Sequence, residues 1–273
     1  MKEMIDVRLD HPRGSEPLVT EANLKVDGGE VVLIVGAAGV GTSRLVAALL
    51  GEVAASAGRI EVLGRDVGKL RRSSLRLLRR RVGIVPQDLC LMEDRSAQLN
   101  VVMPLEIDGV PRSVSVVRAA EVLARLGLDD EASLPVDCLS GAVRQRVAVA
   151  RALVRDPELI IADHPTSMQD AAGAELVCDA LQAAANAGAA VLMLGRDPML
   201  RDIADHQGWR QLGMVHGMLR PLGEIALDGA TIDDLLVDMM SAPRAIRPLA
   251  VVDDAVPENV VRFPITARTA GAR

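Results

Sequence analysis

Residues 31–50 constrain the chain more than any other stretch. Val31, Val32, Leu33, Ile34 and Val35 form an unbroken apolar, largely β-branched run, the pattern of a strand buried on both faces. Gly36, Ala37, Ala38, Gly39, Val40, Gly41, Thr42 and Ser43 follow, and residues 44–50 are helix-prone. Strand, glycine-rich turn and helix in that order point successive backbone N–H groups and a helix N-terminus at one anion. The stretch therefore reads as a phosphate-binding loop, with an ordinary strand-to-helix turn as the alternative. Its spacing fits G-x-x-x-x-G-K-S/T, except that Thr42 takes the lysine position. Thr42 donates one neutral hydrogen bond where lysine brings a charge. Ser43 keeps the hydroxyl that binds Mg²⁺ in such loops.

The remaining chain decides between these readings. It has 273 residues, nearly half of them apolar and a quarter charged, which is globular composition. A net charge of −6 and a pI near 5.3 give no general nucleic-acid footprint, and no nucleic-acid partner is expected. Trp209 and Phe263 are the only aromatics, so Leu, Val, Ile, Ala and Met must build the core and few rings are available to stack a base. Cys90, Cys138 and Cys178 are widely spaced and show no metal or disulfide pattern, which suits a reducing compartment. No apolar run approaches 18 residues and no leader is visible, so the chain reads as soluble, with any membrane role exercised through a partner.

In order, strands are expected at 4–9, 18–26, 31–35, 58–64, 82–85, 158–163 and 189–194, with two more short strands within 209–219. Residues 69–81 carry seven cations among four leucines and read as an amphipathic helix with a solvated basic face; contact with nucleic acid or acidic lipid is the lesser alternative. Residues 91–126 look helical, broken near Pro104 and at Gly109, Val110 and Pro111. Further helices are expected at 142–155, 171–187 and 231–240. Prolines 243, 248, 257 and 264 interrupt the end of the chain, so 242–273 reads as an extended or partly disordered tail after a compact unit of 1–241, with an inserted helical subdomain at about 91–155.

The order of motifs resembles the nucleotide-binding subunits of ABC transporters over residues 4–220. It is most similar to the branch serving bacterial cell division (FtsE), lipoprotein release and macrolide efflux. Val85, Pro86, Gln87 and Asp88 resemble the Q-loop, and residues 91–95 with Asn100 and Val101 are similar to the cell-division member. Residues 139–153, beginning Leu139, Ser140, Gly141, resemble the signature motif and its helix; residues 159–166 resemble the Walker B strand and its continuation; Asp170 fits the D-loop. The resemblance implies an α/β fold, a P-loop cassette with a mainly parallel sheet, an N-terminal antiparallel β part and the helical insertion. It implies ATP and Mg²⁺ held by residues 36–43, Gln87, Asp163 and Arg196, with Ser43, Gln87 and Asp163 near the metal. Ser140 and Gly141 would face the ATP of a second cassette, homo- or heterodimeric. An integral membrane permease would be the further partner, placing the chain in the cytoplasm against the inner face of the cell membrane.

The departures from that pattern fall on the charged and proton-transfer positions. Thr42 replaces the loop lysine, His164 the glutamate that polarises water, and Arg196 the switch histidine. Ala142 and Val143 replace signature residues, Gln169 replaces a D-loop leucine, and His11 is the nearest ring to the adenine-stacking position. His164 is a weak candidate base. Three functions remain open: a cassette that binds ATP and couples to a permease with impaired hydrolysis, a working transport ATPase with rewired residues or a complete partner cassette, and a nucleotide-independent scaffold.

Overall fold

The computed structural model describes residues 2–10, 17–36, 41–215 and 217–222. Residues 37–40 of the glycine-rich loop, His11, the expected helix at 231–240 and the tail at 242–273 lie outside the described residues. The elements are β1 (Lys2–Asp10), β2 (Pro17–Val26), β3 (Val31–Gly36), α1 (Thr42–Leu49), β4 (Ala57–Val62) and β5 (Arg65–Asp66). Then come α2 (Arg72–Arg79), β6 (Val82–Val85), α3 (Ala97–Ile107), α4 (Arg112–Arg125), α5 (Gly141–Leu153) and β7 (Leu159–Asp163). The described chain ends with α6 (Ala171–Asn186), β8 (Ala190–Gly195), α7 (Pro198–Gln207), β9 (Arg210–Val215) and β10 (Met218–Pro221).

Two sheets result. An antiparallel sheet runs β2-β1-β4-β5, and a six-stranded sheet runs β10-β9-β3-β8-β7-β6. In the larger sheet every pairing is parallel except β9 with β10. The apolar run of β3 is explained by burial on both faces. Val31, Leu33 and Val35 join the core under α3–α7, while Val32 and Ile34 join the core shared with α1 and the antiparallel sheet. Strands β7 and β8 divide their side chains in the same alternating way. The helices of the insertion share the first of these cores with the sheet.

Three expectations need correction. Pro104 does not break α3; it lies inside that helix and is buried, and its carbonyl accepts from Arg155 Nε at 3.1 Å and Nη2 at 2.6 Å. Packing and these bonds offset the backbone hydrogen bond that proline cannot make. Residues 91–96 are not helical. The fully buried Asn100 holds them as a loop, accepting from Met92 N at 2.8 Å and donating to the Met92 and Ser96 carbonyls. The helix at 69–81 is shorter than expected, because residues 67–69 form a 3₁₀ turn capped by Asp66 and α2 begins only at Arg72. Helix α7 has no counterpart among the expected elements. It starts on an Asp197 cap with Pro198 in its first turn, a start signal present in the sequence.

Gly83 sits where α5 crosses β6: a Cβ there would lie 2.5 Å from the Ala152 carbonyl and 3.0 Å from Pro157. Gly83→Ala is expected to destabilise the chain by about 1–3 kcal/mol in urea unfolding, since backbone rather than a mobile side chain must move. Burial pushes the Cys178 thiol up to about 12, whereas Cys90 and Cys138 are exposed. Hydrogen bonds to Asp88 and Asp137 push the Cys90 and Cys138 thiols up as well, so access decides: slow alkylation at pH 8 is expected at Cys90 and Cys138, reaching Cys178 only on unfolding; mass mapping checks this.

Candidate nucleotide site

Parallel register sets the site. Val35 pairs with Gly195, Leu194 with Asp163, and Ala162 with Val85, so β3, β8, β7 and β6 end at one edge of the sheet. The connections leaving that edge carry Gly36 and residues 41–43, Arg196, Asp163 with His164, and Gln87. The carboxyl edge of a parallel sheet is where such folds take ligands.

At β3 the chain enters α1 through Gly41, whose φ of 106° is open to glycine. A Cβ there would also press on Val19 at 3.0 Å and the Leu18 carbonyl at 3.2 Å. Helix α1 has no side-chain cap and no acidic residue in its first turn. Its leading N–H groups therefore keep the positive end of the helix dipole uncompensated and suited to an anion. Thr42 is half-buried, Ser43 exposed, and Arg44 half-buried with its Nε lacking a partner among the described residues.

Gln87 is exposed just beyond β6. The two residues that turn the chain there, Leu89 and Cys90, have φ of 58° and 45°, costly for side chains of their size. Arg151 of α5 holds them, donating from Nη1 to the Cys90 carbonyl at 2.5 Å and from Nη2 to the Leu89 carbonyl at 2.6 Å. Burial lowers the pKa of this guanidinium, which nevertheless remains charged at any working pH.

Asp163 ends β7 with its side chain 8% exposed, and His164 follows with its side chain 19% exposed. His164 has a φ of 53°, and its N–H donates to the Leu194 carbonyl at 2.7 Å. Its ring turns back, placing Nδ1 2.8 Å from Asp163 Oδ1. An ionised carboxylate only accepts, so Nδ1 carries the proton, and Nε2 is the acceptor of the neutral ring. Gln145 of α5, 2% exposed, fixes the same turn. Its Nε2 donates to the His164 carbonyl at 2.8 Å and to Ser167 Oγ at 3.1 Å. Its Oε1 accepts from Met168 N at 3.1 Å and Gln169 Nε2 at 3.0 Å. Gln169 also donates to the Ala142 carbonyl at 2.8 Å. The residues after β7 are thus tied to the first turn of α5.

Ser140 caps α5, its Oγ accepting from Val143 N at 3.3 Å, and Gly141 beside it is exposed. Asp170 caps α6 through Gly173 N at 2.8 Å. Arg196 is exposed, with no ion pair among the described residues. Gln145 and Arg151 escaped the sequence reading as site-shaping residues. For Gln145 the signal was a polar residue on the buried stripe of α5, three and four positions before Ala148 and Val149.

The donor chemistry suits Mg²⁺-nucleotide: the Ser43 hydroxyl, the Gln87 amide and the Asp163 carboxylate are hard oxygen donors, and the uncapped start of α1 and Arg196 suit phosphate. Replacing Gln145 with Leu leaves the His164 carbonyl and Met168 N–H without their buried partner. Gln145→Leu is expected to cost about 1–3 kcal/mol in urea unfolding and to speed amide exchange at Met168, while Asp170→Asn, which keeps a capping oxygen, changes either little.

Comparison with known proteins agrees with this geometry. The ABC transporter family model matches residues 19–167. A methionine import ATP-binding protein, MetN, of Caulobacter vibrioides is 37% identical over 64% of this chain and 52% of its own length. The lipoprotein-releasing ATP-binding protein LolD of Neorickettsia sennetsu is 36% identical over 66% of this chain and 80% of its own. The chain thus spans about half the length of the MetN relatives. Among solved structures, the dimeric ABC transporter cassette MJ0796 superposes with a TM-score of 0.74 at 26% identity, covering 81% of this chain and 97% of that one. A dimeric post-hydrolysis state of MJ0796 bound to ADP and Pi gives 0.73. With its strand-edge site and its six-stranded sheet, the chain belongs to the ABC transporter family.

Proposed function

We propose that the chain is the ATP-binding cassette of a membrane transporter or an FtsE-like permease complex, and that it holds Mg²⁺-ATP while hydrolysing it poorly. The carrying observation is the Asp163–His164 pair at the common strand edge. Residues 36–43, Gln87, Asp163 and Arg196 would bind the nucleotide, with Ser43, Gln87 and Asp163 around the metal. Mg²⁺ held there would neutralise phosphate charge. Ser140 and Gly141 would meet the nucleotide of a second cassette. The loop after β6 and helices α3 and α4 would meet an integral membrane permease, at the cytoplasmic face.

The residues weaken chemistry more than binding. Losing the charge at position 42 removes a charge-assisted hydrogen bond worth about 1.5–3 kcal/mol, or roughly 10- to 100-fold in affinity. Arg196 offsets part of that with a cation that has no ion pair among the described residues. Losing a positioned general base costs about 10²–10⁴ in rate. The His164 ring does not replace that base freely. Its backbone is pinned to Leu194 and Gln145, and its Nδ1 is committed to Asp163.

The same pair favours one second reading. A carboxylate that orients an imidazole leaves Nε2 ready to accept a proton, which is how a rewired base would be built. Steady-state phosphate release separates the two. Thr42→Lys combined with His164→Glu is expected to raise turnover by about 100-fold or more over the native chain. Removal of the ring in His164→Ala is expected to leave native turnover unchanged. A clear fall in His164→Ala establishes the rewired ATPase instead, and absence of any ATP binding establishes the scaffold.

A further inference from the structure

The basic helix singled out in the sequence is not absorbed by the nucleotide site. Of its cations, Arg79 donates inward to the Leu50 carbonyl, Arg80 pairs with Asp108, and Arg81 pairs with Glu158. Lys69 is paired with Asp66. Arg71, Arg72 and Arg76 are exposed and form no ion pair among the described residues. Two acidic groups that pair with other cations of this stretch are each shared with a further arginine, Asp66 with Arg59 as well as Lys69, and Asp108 with Arg155 as well as Arg80.

Apolar side chains stand out on the same surface. Leu77 is 58% exposed and Ile107 56%. They belong together, because Arg80, three residues after Leu77 and so on its helix face, reaches both the Ile107 carbonyl at 3.5 Å and Asp108. Ser73, Arg76, Leu77 and Arg80 line an open depression of about 340 Å³. Its surface is mostly apolar, made by the carbon stems of these side chains, with Arg76 and Arg80 one turn apart along the helix.

We propose that this face of α2 docks on the anionic phospholipids of a bilayer. A headgroup phosphate pairs with Arg76, while Arg80 stays with Asp108. Leu77 and Ile107 enter the acyl boundary, and Arg71 and Arg72 rest among neighbouring headgroups. The exposed apolar side chains are two, Leu77 and Ile107, and the depression beside them is open and lined from one helix, not the long groove between elements that a partner helix requires, which favours a membrane as occupant. The chain carries −6 overall, so attraction to an anionic surface must come from a local concentration of charge such as this one. This inference stands apart from the nucleotide reading and survives its failure.

The test is flotation of the full chain with vesicles of phosphatidylcholine, with and without phosphatidylglycerol. Binding is expected only with phosphatidylglycerol, and it should weaken as salt rises. The variant Arg71→Ala/Arg72→Ala/Arg76→Ala is expected to lose about 100-fold in affinity, at about fivefold per basic residue. Leu77→Ser, which changes no charge, is expected to lose about tenfold. Unchanged Trp209 fluorescence and melting temperature show that the variants are folded. Equal binding to neutral vesicles, or undiminished binding by both variants, overturns the proposal. So does displacement by inorganic phosphate at constant ionic strength, which would assign the depression to a free anion. Binding to a single-stranded oligonucleotide without binding to vesicles would assign the face to nucleic acid.

Discussion

Parallel pairing of β3, β8, β7 and β6 in one register is the constraint from which the rest of the molecule follows. It brings four connections from distant parts of the sequence to a single edge. The pairing is possible because each strand is apolar on both faces and has a hydrophobic layer on either side. Shifting a strand by one residue would exchange its two faces and move Asp163 away from the end of β8. Packing therefore protects the position of the site even where the site's own residues have changed.

A second restraint acts within that frame. Gln145 and Gln169 tie the turn after β7 to the start of α5 with hydrogen bonds shielded from water. A buried network of this kind is costly to leave partly made, so its members move together or not at all. It carries His164 in a left-handed backbone conformation and fixes which way the ring points. In the proposed reading this frame keeps the scaffold for phosphate and metal chemistry, while Thr42, His164 and Arg196 alter the groups that bring charge and take a proton, and the balance between binding and chemistry turns on those three side chains.

The sequence carried most of this architecture in local patterns. The unbroken apolar run at Val31 announced a strand covered on both faces, and the residues after it announced the helix that begins at Thr42. The family resemblance placed Gln87, Asp163 and Arg196 at the site, and the register of the sheet brings their connections to one edge. Pro104 was misread because a local rule against proline in helices was outweighed by burial and by Arg155, which lies 51 residues away. Helix α7 was overlooked although Asp197 and Pro198 mark its start, because its apolar stripe is short. The turning of His164 onto its neighbour Asp163 had no local signature. It depends on the positive φ at 164, on the hydrogen bond Gln145 donates to the His164 carbonyl and on the one His164 N–H donates to the Leu194 carbonyl, contacts that exist only after the sheet and α5 have come together.

The central claim is that this site retains ATP without breaking it. The most direct measurement is the chemical identity of the nucleotide recovered from the full chain after incubation with labelled Mg²⁺-ATP and rapid removal of the free pool. The account predicts intact triphosphate in the protein-bound fraction after times at which an active cassette would have converted it. Recovery of ADP as the main bound species, or of no nucleotide at all, contradicts it.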